Sequence, residues 1–330
     1  MADSVFQRDA LTPIDLSTRT STPTDQIRRL VWKIAIATFL LMAIGSATRV
    51  MNAGLACPDW PLCYGTLFPS QQMNLQVFLE WFHRLDAALI GVLTMVLVGL
   101  SWWNRRSLAS WVPWVSTLAL ALIVFQGVLG GLTVTELLRF DIVTAHLGTA
   151  LLFFTTLLIM GASLLPYQGT GTVGRLPWFS LTAALIIYLQ SLSGALVGSR
   201  WALHQCLALA QQLCQVMNTH LWGIIPASGS IIVLVFLSWR TPALHPALRQ
   251  LSNVAGGLLL LQLLLGVSTF RLHLQVELLT VAHQAVGAAL LGVLISFTVL
   301  GLRDRRLSQL SVSAPPDADV SLSSTLSSSI

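Results

Sequence analysis

The sequence predicts an all-α integral membrane protein in which eight transmembrane helices form two tandem four-helix bundles. Of its 330 residues, 55% are hydrophobic and 9% are charged, whereas a soluble domain carries about 25% charged residues. Eight apolar runs of about 17–25 residues are each long enough to cross a ~30 Å hydrocarbon core as a helix. An internal repeat relates the first four runs to the last four and divides the chain into two similar units.

The eight predicted spans are separated by polar gaps. They lie at 31–50, 85–102, 112–132, 144–165, 178–198, 220–239, 251–270 and 282–301. We predict an N-terminal bundle over 31–165 and a C-terminal bundle over 166–303. The polar ends, 1–30 and 304–330, are predicted to be disordered because they lack apolar residues that could form a core. The first of them has no apolar h-region, so no cleaved signal peptide is expected.

The basic residues concentrate in alternate gaps. Of the 18 Lys and Arg residues, 13 fall on the side that carries both termini and 5 fall on the other side. The positive-inside rule therefore predicts that both termini lie in the cytoplasm. A net charge of +5 could indicate nucleic-acid binding, but this distribution is explained by membrane topology. We expect a protein of the bilayer with no nucleic-acid partner.

All four cysteines fall in loops predicted to lie on the outer side. Paired thiols outside the cytoplasm are more often oxidised than metal-bound. Proximity in the sequence favours the disulfides Cys57–Cys63 and Cys206–Cys214. Cross-pairing between the loops and four unpaired cysteines stay open as alternatives.

The repeat is clearest at four histidines near the outer side. They form two matching sets at the same offset of 137 residues, His83 with His220 and His146 with His283. The segment 126–133 also resembles 262–269 at an offset of 136, and the cysteine pairs correspond at offsets of 149 and 151. Each unit has an even number of spans, so both insert in the same orientation. This predicts a pseudo-twofold axis along the membrane normal.

Two histidines on different helices of one bundle predict bis-histidine ligation of a haem. Zinc fits less well, because neither unit has a third or fourth His, Cys or carboxylate at matching spacing. A di-iron site would need Glu-x-x-His motifs from two helices of the same bundle. Glu80 and His83 form one such motif, but Val143 stands three residues before His146. One haem site in each bundle is therefore expected.

The two units differ beside the first of these histidines. Met217 takes the place of Glu80 in the second unit, and Leu221 takes the place of Arg84. A reacting haem needs a proton donor or acceptor, which an electron-transfer haem does not. We predict that the first bundle is the reaction centre and that Glu80 is catalytic; the alternative is a carboxylate favoured by the helix dipole. Arg84 and Arg49 are candidates to hold haem propionates or to reach the interface.

Several stretches together resemble the haem A synthase family. They are Gly-Ser-Ala-Thr-Arg at 45–49, the Cys-Pro-Asp-Trp-Pro-x-Cys string at 57–63, Glu-Trp-Phe-His-Arg at 80–84, Thr-Ala-His-Leu-Gly at 144–148 and Ala-His-Gln at 282–284. The resemblance covers roughly residues 30–303. One departure is visible, since Leu221 follows His220 where the first unit has a His-Arg dipeptide.

The resemblance implies an oxidoreductase that converts a methyl group of haem O to a formyl group by successive hydroxylation, giving haem A for terminal oxidases. It implies that the N-terminal half takes haem O and that the C-terminal half keeps a haem B cofactor. The residues carried over are His83 and His146 as axial ligands of haem O, Glu80 as the catalytic carboxylate, His220 and His283 as axial ligands of haem B, and Cys57–Cys63 and Cys206–Cys214 as disulfides.

The implied partners are the haem O synthase that delivers the substrate and an electron-transfer protein. The haem sites are expected toward the outer face of a bacterial plasma membrane or an internal membrane. A diheme b-type cytochrome in quinol-linked electron transfer is the alternative, since four histidines and eight spans suit it equally. It leaves Glu80 and the Cys-Pro-Asp-Trp-Pro-x-Cys string unexplained. A transporter would place its charges near the midplane, whereas these polar groups gather at one face.

Overall fold

A computed structural model describes residues 22–198, 211–272 and 275–313, and these ranges form eight α-helices without a β-sheet. The helices are α1 (Pro23–Val50), α2 (Leu75–Trp103), α3 (Trp111–Thr135), α4 (Phe140–Ser163), α5 (Leu176–Val197), α6 (Gln211–Arg240), α7 (Pro246–Arg271) and α8 (Glu277–Ser313). All eight contain a stretch long and apolar enough to cross a membrane. The predicted all-α membrane class is confirmed.

The helices extend beyond the apolar runs that predict them. Helix α2 begins at Leu75 rather than at 85, because the Asn74 side chain caps it by accepting a hydrogen bond from the Val77 N–H at 2.9 Å. Hydropathy does not detect these turns, because Glu80, His83 and Arg84 interrupt the apolar run. Helix α1 likewise begins before 30 and α8 continues past 304, so the predicted boundaries at 30/31 and 303/304 fall inside helices. The outermost parts of the predicted ends lie outside the described residues.

The helices close into two rings. Helices α1 to α4 each pack on the next, and α1 also packs on α4; α5 to α8 repeat this pattern, with α5 on α8. Between the rings, α4 contacts α5 and α8, and α1 contacts α8. The result is two antiparallel four-helix bundles side by side, and the pseudo-twofold axis between them stays a prediction. We call the end of the two bundles at which the α1–α2 loop lies the loop end.

Helix α8 is the most deeply buried span because it packs on both bundles. Its Phe297 and Leu294 belong to one continuous apolar core that also contains Phe153 and Ile34 of the first bundle. The outward faces of the other helices carry exposed aromatic and aliphatic side chains, as lipid-facing surfaces do. The core therefore fixes the two bundles against each other through α8.

The linker between the bundles, residues 164–175, is held by one buried carboxylate. Asp304, fully buried near the end of α8 away from the loop end, accepts hydrogen bonds from the Thr170 N–H at 2.7 Å and the Val173 N–H at 3.2 Å. The Tyr167 hydroxyl donates a third at 3.3 Å. Burial and the neighbouring Asp304 carboxylate raise the pKa of Tyr167. The linker is thereby tied to the second bundle.

Replacing Asp304 by asparagine is expected to lower the free energy of unfolding by about 3 kcal/mol, because hydrogen bonds to a charged acceptor are lost and an amide N–H₂ then faces N–H donors. Thermal unfolding of the purified protein in detergent measures the change. Glu277→Gln is the matched control, since Glu277 lies exposed on the same helix. Equal unfolding temperatures for the two variants would contradict the role assigned to Asp304.

Candidate functional site

Each of the four repeat histidines lies against a glycine of the preceding helix. A Cβ atom at that glycine would lie within 2.8–3.4 Å of the histidine Cε1: Gly45 with His83 at 2.8 Å, Gly130 with His146 at 3.4 Å, Gly194 with His220 at 3.0 Å and Gly266 with His283 at 3.0 Å. Real Cβ atoms almost never approach closer than 3.0 Å. The missing side chains therefore let the imidazoles lie directly on a helix backbone.

The structure brings the histidines together in the predicted pairs. His83 of α2 and His146 of α4 lie close enough to interact electrostatically, and so do His220 of α6 and His283 of α8. Within the described residues, no group of three or more His, Cys, Asp or Glu side chains gathers to hold a metal ion. Each bundle thus offers two imidazoles, the donor set of a bis-histidine haem.

Three glutamines position these histidines, and the sequence analysis missed them. Gln126 Nε2 donates to the carbonyl of His146 at 2.8 Å, and Gln190 Nε2 donates to the carbonyl of His220 at 2.7 Å. Gln262 Nε2 lies 3.3 Å from His283 Nε2. Each glutamine stands four residues before the glycine that faces the same histidine. This Gln-x-x-x-Gly spacing, present three times, is the sequence signal that could have revealed them.

His220 is held by two side chains of α5 although it lacks the His-Arg dipeptide of the first unit. Its Nδ1 lies 2.9 Å from Ser193 Oγ and 3.2 Å from Gln190 Nε2. Gly223 makes room for that amide, since a Cβ there would lie 2.1 Å from Gln190 Oε1. Hydrogen bonds at Nδ1 orient an imidazole whose Nε2 serves as a ligand. The surroundings of His220 therefore fit iron ligation.

Buried polar atoms without partners surround both pairs. In the described part of the chain, Nδ1 of His83, His146 and His283 has no hydrogen-bond partner, and neither has the side-chain oxygen of Gln126 or Gln262. An unsatisfied buried polar group costs about 1–3 kcal/mol. The two-imidazole donor set, with a glycine against each imidazole, fits a haem in each bundle, whereas the Nδ1 atoms do not bear on that fit, since iron held by Nε2 gives Nδ1 no partner.

A cavity of about 300 Å³ adjoins the second pair. Its walls are mainly apolar side chains, and they include His220 and His283. Arg49 of α1 also lines it and donates to Gln284 Oε1 at 3.4 Å. Arg49 thus lies at the cavity of the second pair, and the contact to a haem O propionate expected from the sequence stays a prediction.

The first pair instead lies beside the α1–α2 loop, in which the predicted disulfide Cys57–Cys63 is formed. Glu80 is buried, and its Oε2 accepts the Cys57 N–H at 2.8 Å. Arg84 forms an ion pair with Glu80 and donates to the carbonyls of Asp59 and Leu62. Both side chains are therefore engaged in holding the loop, and the propionate contact expected of Arg84 stays a prediction.

The remaining residues of the Cys-Pro-Asp-Trp-Pro-x-Cys string shape the loop and extend it toward α3. The Asp59 carboxylate accepts the N–H groups of Tyr64 at 2.6 Å and Gly65 at 2.8 Å. Trp60 lies on Gly131, where a Cβ would be 3.2 Å from its Cδ2, and Gly130 next to it faces His146. The loop therefore spans from α2 to α3 beside the first pair. The second predicted disulfide, Cys206–Cys214, lies outside the described residues and side chains.

Fold and site together define an integral membrane protein of two helical bundles, each with a histidine pair toward the same end. Comparison with known families gives the identity: the chain belongs to the COX15-CtaA family of cytochrome oxidase assembly proteins, whose model matches residues 28–295. This confirms the family membership that the sequence motifs indicated.

Curated relatives agree with that assignment. The heme A synthase of Shewanella oneidensis is 26% identical over 322 residues, covering 81% of this chain and 95% of that protein. The heme A synthase of Bacillus licheniformis is 24% identical over 293 residues, covering 82% of this chain and 94% of that protein. A protoheme IX farnesyltransferase of Halobacterium salinarum is 32% identical over 144 residues, covering 44% of this chain and 30% of that protein.

Proposed function

We propose that this chain is a haem A synthase, an oxidoreductase that converts a methyl group of haem O to the formyl group of haem A by successive hydroxylation. Relatives that carry this name align over nearly their whole length. The observation that carries the assignment is the asymmetry between two otherwise matching histidine pairs. Only the first has the buried Glu80–Arg84 pair, and that pair holds the disulfide loop. A pure electron-transfer protein has no need for such a difference.

The first bundle is the proposed substrate site, with haem O between His83 and His146. The loop fixed by Glu80 and Arg84 brings Trp60 onto α3, beside the glycine that faces His146. Lipid-facing apolar surfaces on the surrounding helices suit the isoprenoid tail of haem O. The two histidines would set the position of the macrocycle.

The second bundle is the proposed cofactor site, with haem B between His220 and His283. When bound, haem B would supply one-electron transfer. Gln190 and Ser193 orient His220, and Gln262 lies against His283. These hydrogen-bond partners hold both imidazoles beside the apolar cavity between them. These contacts support the assignment of His220 and His283 as the residues that would hold haem B.

Glu80 is proposed to act first of all as a positioning residue. Both of its carboxylate oxygens accept hydrogen bonds, one from the Cys57 N–H and one from the Arg84 guanidinium. The catalytic proton transfer predicted from the sequence requires in addition that one oxygen become free during turnover. The stability and turnover of Glu80→Gln and of the double variant Glu80→Gln/Arg84→Met separate the two roles.

The proposed partners are a haem O synthase that delivers the substrate and an electron-transfer protein. The relative named protoheme IX farnesyltransferase supports the first, because a farnesylated haem is the kind of substrate proposed here. The paired histidine sites are proposed to face the outer side of a bacterial membrane, on the evidence of the basic residues at the opposite end.

The test is to purify the protein from a host that makes haem O and to identify the extracted haems by chromatography with mass detection. Haem B together with haem O or haem A is expected. His83→Ala should lose haem O and haem A but keep haem B, and His283→Ala should release haem B. Two equivalents of haem B, with no haem A formed in the host, would overturn the proposal and favour a diheme b-type cytochrome.

A further inference from the structure

Arg49, in the last turn of α1, crosses from the first bundle to the second. The repeat offset of 149 residues that relates Gly45 to Gly194 also relates Arg49 to Gly198. The guanidinium lies on that very glycine, since a Cβ at Gly198 would be 2.9 Å from Arg49 Nη2. Gly198, the counterpart of Arg49 in the second unit, has no side chain. The Arg49 guanidinium fills the space that a side chain there would occupy.

The arginine side chain ends at the cavity of the second bundle. It lines that cavity beside Gln284, the residue after His283, and donates to the Gln284 amide oxygen at 3.4 Å. Among the described residues, no carboxylate forms an ion pair with Arg49. A cation near membrane depth is costly without a counter-charge and generally marks a ligand or ion site. Its position therefore calls for an anion in the cavity.

Two hydroxyl groups reinforce this conclusion. Thr269 of α7 and Thr280 of α8 line the same cavity, and the Oγ1 atom of each is buried without a hydrogen-bond partner in the described part of the chain. Hydroxyl groups donate readily to a carboxylate. The guanidinium presents a planar fork that matches a carboxylate in two-point contact. Arg49, Thr269 and Thr280 thus give a mainly apolar cavity one guanidinium and two hydroxyl groups that can donate to an anion.

We propose that Arg49 binds a carboxylate of the ligand in the second bundle, which in the proposed function is a propionate of haem B. The inference rests on that function for the identity of the ligand. The second unit has no arginine of its own at the two places where the first unit has Arg49 and Arg84, since Gly198 and Leu221 stand there. The first bundle therefore contributes a binding residue to the cofactor site, and the second bundle alone is incomplete.

The experiment compares haem B binding by the purified full-length protein and by Arg49→Gln, using transfer of haem B to apomyoglobin as the measure of its release. We expect release from the variant to be about tenfold to a hundredfold faster, the range that loss of one charge-assisted hydrogen-bonded contact produces. The control is Arg139→Gln, because Arg139 lies exposed at the α3–α4 turn, paired with Glu136 and Asp141. It should release haem B at the unaltered rate.

A second measurement identifies the group that Arg49 binds. Protein prepared without haem is titrated with haemin and with haemin dimethyl ester, in which both carboxylates are blocked. The unaltered protein should prefer haemin, and Arg49→Gln should lose that preference. Gly198→Ala, which displaces the guanidinium, should weaken the preference, and it should add nothing to Arg49→Gln. A preference for haemin that survives in Arg49→Gln would overturn the inference.

The outcomes separate this inference from the proposed function. If the unaltered protein binds no haem B at all, the proposed cofactor site fails and the inference fails with it. If the unaltered protein binds haem B and Arg49→Gln releases it at the same rate, the inference fails and the function stands. We also expect the midpoint reduction potential of haem B to be lower in Arg49→Gln, because removing a nearby positive charge favours the oxidised, more positive haem.

Discussion

Replacing Gly45 by valine is expected to reduce haem A formation by about a hundredfold or more, since misplacing a reacting group by about 1 Å has an effect of that size. A Cβ at Gly45 would lie 2.8 Å from His83 Cε1, which is closer than such atoms approach one another. The branched side chain would push the imidazole out of the position from which it faces His146. The measurement is haem A produced per purified protein in a host that makes haem O.

The equivalent substitution in the second bundle tests the same kind of contact. Gly194→Val should displace His220, where a Cβ would lie 3.0 Å away, and should release haem B while leaving His83 in place. Gly127→Val is the control, because a Cβ at Gly127 meets no atom within 4 Å. If Gly45→Val and Gly127→Val make equal amounts of haem A, the close contact with His83 does not matter for the reaction. Unfolding temperatures show whether each variant keeps the fold.

The sequence alone predicted the membrane class, the number of spans and the repeat, because these depend on composition and spacing. Hydropathy located the apolar centre of each helix but not its ends, as Leu75 and Asn74 show at the start of α2. The extra turns there contain Glu80, His83 and Arg84, which interrupt the apolar run, and their start depends on a cap. The assignment of His83 to a bundle with His146 followed from the repeat, and the structure brings the two together.

Side-chain direction was not predictable from the sequence. Arg49 and Arg84 are both arginines near the loop end, and both were candidates for haem propionates. The structure directs Arg84 to the carbonyls of the disulfide loop and Arg49 across the bundle interface to Gln284. The Arg49 contact depends on the packing of α1 against α8, and the Arg84 contacts depend on the folded disulfide loop; no local pattern encodes either. The same holds for Gln190, which approaches His220 because Gly223 leaves space.

Replacing Glu80 by glutamine is expected to lower the free energy of unfolding by about 3–5 kcal/mol, as for removal of one partner from a buried ion pair. The pair is well protected, with side-chain exposures of 5% for Glu80 and 15% for Arg84. The variant would leave the Arg84 charge without its partner and weaken the bond to the Cys57 N–H. We therefore expect lower thermal stability and faster reduction of the Cys57–Cys63 disulfide by a mild thiol.

The double variant Glu80→Gln/Arg84→Met shows whether Glu80 has a role in the reaction in addition to its role in stability. Removing both charges avoids the unpaired guanidinium, so part of the stability should return. If Glu80 acts only by positioning the loop, haem A formation should recover in step with stability and keep the pH profile of the unaltered protein. If Glu80 also transfers a proton, the double variant should be stable and still inactive. Recovery of activity would therefore remove Glu80 from the chemistry, whereas a stable but inactive protein would restore the catalytic role predicted from the sequence.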